Sequence, residues 1–239
     1  MASETGHTIN ISNFKLVIDQ CTGFGAKYNP SNTDLTIANM TTVWTTADTA
    51  NGILNKAVSD AKNPINEREI VFAPLNKLVT RTLAILSSSK VSKPMMKDAK
   101  GIADKIRGFG VEVKKLPDGT PDPDHVSKSQ QGFVQRAKAF KQLVDLYKSE
   151  PKYAPNEADL TTTALATMAT QMKTLNNNIG TILAPVDAAR ITRDHALYDE
   201  DTGIVDLAQM CKNYVKGVYG TTSSEHKLIR KIKFTRKKT

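Results

Sequence analysis

The sequence predicts an all-α protein made of two tandem pseudo-repeat helical bundles with long, heptad-patterned helices. Apolar residues recur at spacings of three and four over long segments, and the order of landmarks in the first half returns in the second. No segment alternates apolar and polar residues for long enough to predict a sheet. With 239 residues, of which 39% are hydrophobic and 24% charged, the chain can bury a sizeable core.

The repeat is clearest at a tyrosine–proline turn in each half. The segment 28–36, YNPSNTDLT, returns 125 residues later as 153–161, YAPNEADLT. Upstream of these turns, Phe14 matches Phe140 at an offset of 126. A chance match of this length and order is improbable, so the two halves are predicted to share one fold.

A long helix with an inward-facing apolar seam is predicted after each turn, because both halves carry the same spacing of three and four residues. Asn32 or Ser31 in the first half, and Asn156 in the second, are candidate N-caps. The seam positions of the first half are Met40, Val43, Ala47, Ala50, Leu54, Ala57 and Ala61. Their counterparts 125 residues later are Leu165, Met168, Met172, Leu175, Ile179, Ile182 and Val186.

Shorter helices complete each half. Helices at 12–22 and 133–149 are predicted before the two turns, and further apolar periodicity predicts second helices over 71–85 and 204–218. Pro74 is expected to interrupt the first of these second helices, because proline lacks the N–H that an α-helix needs.

The predicted helix breaks and third helices in the first half also have counterparts in the second half. The stretch 201–203, which ends in glycine, is expected to interrupt the second half at nearly the place where Pro74 interrupts the first. A third helix is predicted to begin at Ser92, and its counterpart near Ser223 or Ser224. All of these elements are therefore expected twice.

These elements predict five regions along the chain. Three prolines and three acidic residues within 116–125 mark the segment between the halves as a loop or linker, with 111–115 as a candidate short strand. The regions are an N-terminal arm (1–11), helical repeat 1 (12–108), a Pro/Asp-rich linker (109–132), helical repeat 2 (133–234) and a basic C-terminal tail (235–239).

The positive charge is concentrated at the C-terminus. The formal net charge is +9, and seven of the last thirteen residues are Lys or Arg with no acid among them. Three interpretations remain open: a solubilising end whose Ile229, Ile232 and Phe234 pack on the body, a contact with phosphate, or a contact with an acidic partner. The candidate anion or partner contacts are Lys227, Arg230, Lys231, Lys233, Arg236, Lys237 and Lys238.

Reactive chemistry is not indicated by any motif. A phosphate-binding glycine loop and a nucleophile elbow are missing from the sequence, and the Glu-x-x-His motif that di-iron bundles carry on two helices occurs only once, at Glu4–His7. The neighbours Asp194 and His195 are expected on a helix surface. Cys211 is expected to be a small core residue, and a disulfide with Cys21 is the alternative. We therefore predict no enzyme activity, metal, cofactor or small-molecule substrate.

Two surface features point to contacts with other molecules. Trp44, the single tryptophan, is expected at the edge of the core, and it is a candidate interface residue if exposed. Both long helices are also rich in threonine, a mediocre helix former. Uncharged threonine faces suit close helix contacts and lateral association.

The location of the protein is predicted only by default. The segment 1–10 contains no apolar core of a classical signal peptide, and the apolar runs are too short to span a bilayer. A cytoplasmic location is therefore expected, with export by another route left open.

The sequence resembles a family of uncharacterised two-repeat all-helical proteins found in Bacteroidota genomes. The resemblance is carried by the Tyr-x-Pro-x-x-x-Asp-Leu turns, by the segments 66–81 and 197–206, and by the closing residues around 233–235. The linker departs from the family pattern. The resemblance implies the two-repeat architecture and a bacterial source, and it transfers no activity, ligand or site residue.

The leading functional hypothesis is a non-enzymatic structural or protein-interaction (assembly or scaffold) protein, with a protein partner or self-association. The alternative is a nucleic-acid-associated protein that uses the basic C-terminus, with binding that is weak and salt-dependent. A third class, an enzyme or small-ligand binder with a site between the bundles, has no supporting motif.

Overall fold

The protein is described by a computed structural model, which covers residues 4–109, 120 and 131–236. These described residues form α-helices and short 3-10 turns without a strand, so the all-α prediction is confirmed. The candidate strand at 111–115 lies outside them. The helices are α1 (Glu4–Gly23), α2 (Ile37–Phe72), α3 (Leu75–Ser88), α4 (Lys93–Arg107), α5 (Phe133–Lys148), α6 (Thr162–Tyr198), α7 (Ile204–Tyr219) and α8 (Ser224–Arg230).

Helix α1 begins eight residues before the predicted start at residue 12, so that helix start is wrong and residues 4–11 of the predicted arm are helical. The error has a physical cause, because two polar residues of this segment, His7 and Asn10, are buried with partners. Asn10 exchanges two hydrogen bonds with the backbone of Thr235, at 2.8 and 2.9 Å, and His7 Nδ1 lies 2.7 Å from the hydroxyl of Tyr198. The helix therefore extends over this polar segment, because the polar side chains on its buried face have hydrogen-bond partners.

The predicted helix starts are confirmed where a serine caps them. Ser92 accepts a hydrogen bond from the N–H of Met95, and Ser223 accepts one from His226. Asn32 accepts from the N–H of Asp34 and caps a 3-10 turn, Thr33–Leu35, rather than the long helix.

The second predicted asparagine cap is wrong. The residue before the 3-10 turn Ala158–Leu160 is Glu157, and no side chain caps that turn. The long helices are capped instead by the threonines that precede them, because Thr36 accepts from the N–H of Asn39 and Thr161 from that of Ala164.

Both predicted breaks are present. Residues 73–74 separate α2 from α3, and residues 199–203 separate α6 from α7. At the second break the backbone of Gly203 lies so close to the preceding turn that an added Cβ would be 2.8 Å from backbone atoms of Leu197 and Asp199. Glycine is required there because no other residue fits this approach.

The chain forms two compact units. Unit 1 comprises residues up to 61 and from 183 onward, and unit 2 comprises 62–182. The chain therefore passes from one unit to the other inside α2 and returns inside α6. The predicted repeats, 12–108 and 133–234, do not coincide with these units, because each unit combines the N-terminal part of one repeat with the C-terminal part of the other.

The predicted apolar seams face inward. All fourteen seam positions are buried or partly buried, and Met40, Ala47, Leu165 and Met172 are each fully buried. Met40 and Ala47 belong to the core of unit 1, and Leu165 and Met172 to the core of unit 2. Each long helix thus contributes the N-terminal part of its seam to the core of the unit in which it starts.

One helical stretch, 37–88, is long and apolar enough to cross a membrane by length and composition, with an 18-residue window of mean hydropathy 1.3 that is 33% buried. The stretch includes the break at 73–74. A mostly buried core helix of a soluble protein meets the same criterion, so this single match is weak evidence of a membrane span. The absence of a membrane span stays a prediction.

Candidate functional site

The C-terminal segment after α8 is fixed against unit 1. The backbone carbonyl of Lys233 accepts a hydrogen bond from the side chain of Asn13 at 2.7 Å, and that of Ile232 accepts one from the Lys212 ammonium at 2.6 Å. Ile229 and Ile232 are buried, and Phe234 packs against the same core. The predicted packing of the apolar tail residues on the body is confirmed.

This packing gathers basic side chains around a cavity of about 310 Å³, which we call the basic cavity. Arg230, Lys233 and Arg236, all predicted as candidate contacts, line it from α8 and the following segment. Helix α7 supplies Lys212, a residue that the sequence analysis did not single out. The polar side chains of Gln209, Asn213 and His226 complete the polar part of the lining.

Few acidic groups compensate these charges. Arg236 forms an ion pair with Asp206 at 2.8 Å, whereas Arg230 and Lys233 have no ion-pair partner among the described residues. Burial lowers the pKa of the Lys212 ammonium, and the charge of Lys233 lowers it further. The ammonium also lies 4.8 Å from the ring centre of Phe234. The basic cavity is therefore a concave surface with an excess of positive charge.

The remaining predicted basic residues lie elsewhere. Lys227 is exposed on α8 and does not line the cavity. Lys231 lines a different, shallower depression beside Asn13 and Gln20 of α1. Lys237 and Lys238 lie outside the described residues.

The threonines of the long helices form two charge-poor faces. The face of α2 lies in unit 1, within residues 37–55, where Asp48 is the single charged residue. The face of α6 begins in unit 2, and within residues 162–186 Lys173 is the single charged residue. We call these the α2 face and the α6 face.

Many threonine hydroxyls on both faces donate to their own helix. Thr42 and Thr46 on the α2 face donate to the carbonyls four residues earlier, at 3.1 and 3.0 Å. Thr167 and Thr170 on the α6 face do the same at 3.1 and 2.9 Å. Since these hydroxyl hydrogens are already used, the outward-facing part of each side chain is dominated by its methyl group.

A groove of about 850 Å³ runs along the α6 face. Its lining includes one base and one acid, Lys148 and Glu67, and is otherwise uncharged. The members that come from α6 are Thr163, Ala166, Thr167, Thr170, Gln171, Thr174, Leu175 and Asn178.

Trp44 lies at the edge of the unit 1 core, as predicted. Its ring is partly buried, and the indole Nε1 is buried without a hydrogen-bond partner among the described residues. The Lys15 ammonium lies 5.7 Å from the ring centre. Its proposed role at an interface stays a prediction.

The two cysteines meet in the core of unit 1. Cys21 of α1 and Cys211 of α7 are free thiols with their sulfur atoms 3.3 Å apart, and Cys211 lies 3.4 Å from the hydroxyl of Tyr28. Cys211 is fully buried, as predicted. The hydrogen bond with Cys211 and burial both raise the pKa of the Cys21 thiol, which makes it a poor nucleophile.

The described residues contain no group of three or more His, Cys, Asp and Glu side chains able to hold a metal ion. His195 pairs with Asp199 one turn later, with Nδ1 2.8 Å from the carboxylate, and both side chains are exposed on the surface. Asp194 pairs with Arg193 instead. The expected surface position of His195 is confirmed.

No protein-family model, curated protein or solved structure matches this chain.

Proposed function

We propose that this protein is a non-enzymatic interaction protein that assembles with further copies of itself through the α2 and α6 faces. The observation that carries this proposal is the hydrogen bonding of the exposed threonines. Thr42, Thr46, Thr167 and Thr170 each donate to their own helix backbone.

The cost of covering such a face is low. Burying a hydroxyl without a partner is unfavourable, but a hydroxyl that already donates within its helix leaves no unpaired donor. Charged residues are depleted in the centres of protein interfaces, and both faces are nearly free of them although 24% of the whole chain is charged. Packing therefore gains apolar contact without desolvating an ion.

A second copy of the chain is the partner that fits best. Each face carries a single charged residue, Asp48 on the α2 face and Lys173 on the α6 face, and therefore requires little charge complementarity, so the face of another copy can pack against it. Most soluble oligomers are built from identical chains through such self-complementary surfaces. Because the chain carries two faces, both closed dimers and larger assemblies are consistent with the proposal.

Light scattering coupled to size exclusion tests the proposal with matched substitutions on exposed threonines. Thr170→Glu places a charge in the groove of the α6 face, and Thr42→Glu does so on the α2 face. Thr192→Glu is the control, because Thr192 is exposed on α6, also donates to its helix at 3.1 Å, and lies outside the charge-poor segment.

We expect the unmodified protein to show a mass above that of one chain, and at least one face substitution to lower that mass while the control leaves it unchanged. A single-chain mass at every concentration would contradict the proposal. An equal loss in the Thr192→Glu control would contradict it as well.

We also propose that the two halves of the chain are copies of one ancestral helical unit. The support is a pair of equal contacts at the predicted offset of 125 residues. The hydroxyl of Tyr28 donates to the carbonyl of Leu35 at 2.8 Å, and that of Tyr153 donates to the carbonyl of Leu160 at 3.0 Å. Both tyrosines and both leucines are buried.

Nucleic-acid association is the second candidate, because Lys227, Arg230, Lys231 and Lys233 are exposed and have no ion-pair partner among the described residues. Deleting 227–239 is unsuitable as a test, since it would remove the buried Ile229 and Ile232 from the core. Replacing the four basic residues by Gln keeps the fold. Titration of labelled DNA and RNA should then show a loss of salt-dependent binding, and equal, negligible binding by both proteins would end this candidate.

A further inference from the structure

The basic cavity holds positive charges close together, which is unfavourable in free energy because they repel each other. Lys212, Arg230 and Lys233 line one concave surface, and Asp206 compensates only Arg236. Like charges held close in a partly desolvated site repel each other, and the pKa of Lys212, which burial lowers most, is lowered further by the charge of Lys233. An anion bound in the cavity would offset this cost.

The arrangement is fixed by the fold and does not depend on a loose chain end. Asn10 and Asn13 of α1 bind the backbone at Thr235 and Lys233, and Lys212 binds the carbonyl of Ile232. These contacts hold the backbone that carries Lys233 and Arg236 against α7. A preorganised cationic site loses less entropy on binding than a disordered basic tail does.

The dimensions and lining favour a small molecule. The volume of about 310 Å³ lies at the lower end of the roughly 300–1,000 Å³ typical of small-molecule sites. Arg230 and Arg236 offer forked guanidinium donors suited to phosphate oxygens, and the Lys233 ammonium adds a point charge. The amides of Gln209 and Asn213 and the ring of Phe234 can contact an attached organic group.

We propose that the basic cavity of unit 1 is a binding site for a small phosphomonoester, with the phosphate held by Arg230, Lys233 and Arg236. This site is independent of the proposed self-association, since the α2 and α6 threonine faces do not line it.

Isothermal titration calorimetry at constant ionic strength tests the site with inorganic phosphate, adenosine monophosphate and a short single-stranded oligonucleotide. The test variant is Arg230→Gln/Lys233→Gln. Its matched control is Lys227→Gln/Lys231→Gln, which removes the same charge from the same segment but from side chains that do not line the cavity. All four residues are exposed, so both variants should fold, and circular dichroism checks this.

We expect saturable binding of phosphate or the nucleotide at one site per chain, weakened about tenfold or more in the cavity variant and less than about twofold in the control. No saturable binding of either small ligand would overturn the proposal. An equal loss in both variants would also overturn it, since it would mean diffuse attraction by the whole segment or an adventitious ion only. Binding confined to the oligonucleotide would favour the nucleic-acid candidate instead.

Discussion

Units 1 and 2 contain the same tyrosine hydrogen bond in different surroundings. In unit 1, Tyr28 meets the thiol of Cys211, which in turn contacts Cys21. In unit 2, Tyr153 is stacked on Tyr147, with ring centres 4.2 Å apart, and the Tyr147 hydroxyl donates to Thr82 at 3.0 Å. A pair of thiols in one core thus corresponds to a tyrosine–threonine pair in the other.

The comparison separates a contact that the two units share from one in which they differ. The bond from tyrosine to a leucine carbonyl closes the turn before each long helix, and it recurs with nearly the same length. The polar pair beside it differs in size and chemistry between the two units, although both pairs are buried and hydrogen-bonded. Cores tolerate such exchange when volume is redistributed among neighbours and polar groups stay paired.

The largest expected effect comes from the matched phenylalanines. Phe14 and Phe140 are fully buried, one in each core. Each Phe→Ala substitution should cost about 3–5 kcal/mol, from lost burial and the cavity left behind. Denaturant unfolding of both variants measures this, and a large cost for one with almost none for the other would break the proposed correspondence.

Alkaline pH should destabilise unit 2 through Tyr147. Burial raises the pKa of Tyr147 to about 12, above its value of about 10 in an unfolded chain. Between these two values the folded state keeps the Tyr147 proton, whereas the unfolded state releases it. The contribution of Tyr147 to the free energy of unfolding is therefore complete below pH 10 and is lost as the pH rises to 12.

The loss attributable to Tyr147 is about 3 kcal/mol over that pH range. Denaturant unfolding at pH 9 and at pH 11 should show the decline, with a shallower one for Tyr147→Phe. Thr82 keeps its own bond to the carbonyl of Val79 in that variant, so its hydroxyl hydrogen is not left unpaired. An unchanged pH dependence in Tyr147→Phe would contradict the prediction.

The tyrosine hydrogen bonds should contribute equally in the two units. Tyr28→Phe and Tyr153→Phe each remove the donor to a buried leucine carbonyl, and each should cost about 1–2 kcal/mol. Thermal or denaturant unfolding compares them directly. A negligible cost for both would show that these bonds do not hold the turns.

The smallest effect is expected at an ion pair found only in unit 2. Arg81 pairs with Asp159, and this hydrogen bond lowers the pKa of the Asp159 carboxyl, whereas Asp34 in the matching turn of unit 1 has no ion-pair partner among the described residues. Both side chains of the pair are exposed, so solvent screens their attraction. Asp159→Asn should shift the unfolding midpoint slightly in low salt and not in high salt, and a shift as large as that of Tyr153→Phe would contradict this.

The helices could be predicted from the sequence because helical periodicity is a local property. The seams, the serine caps and the break at Pro74 all depend on neighbours within a few residues. The division into units depends on length and on distant contacts. Helices of 36 and 37 residues are about 54 Å long, which exceeds the width of a small domain, so α2 and α6 each extend through two cores.

The candidate sites were predictable only in part. A run of basic residues identified Arg230, Lys233 and Arg236, but Lys212 is some twenty residues away on a helix otherwise notable for apolar positions. The threonine-rich composition of the long helices was visible as well. Whether a hydroxyl donates inward, as that of Thr170 does, depends on its rotamer, and no sequence pattern specifies that.

The discontinuity of unit 1 has a consequence for synthesis on the ribosome. Unit 2 is one uninterrupted stretch, 62–182, whereas α1 and the start of α2 pack against α7 and α8, which are translated after unit 2. At roughly 5–20 residues per second, the nascent chain waits on the order of ten seconds before Phe14 and Val17 can be covered by their partners. During that interval α1 has an exposed apolar face, which makes it a natural substrate for chaperones.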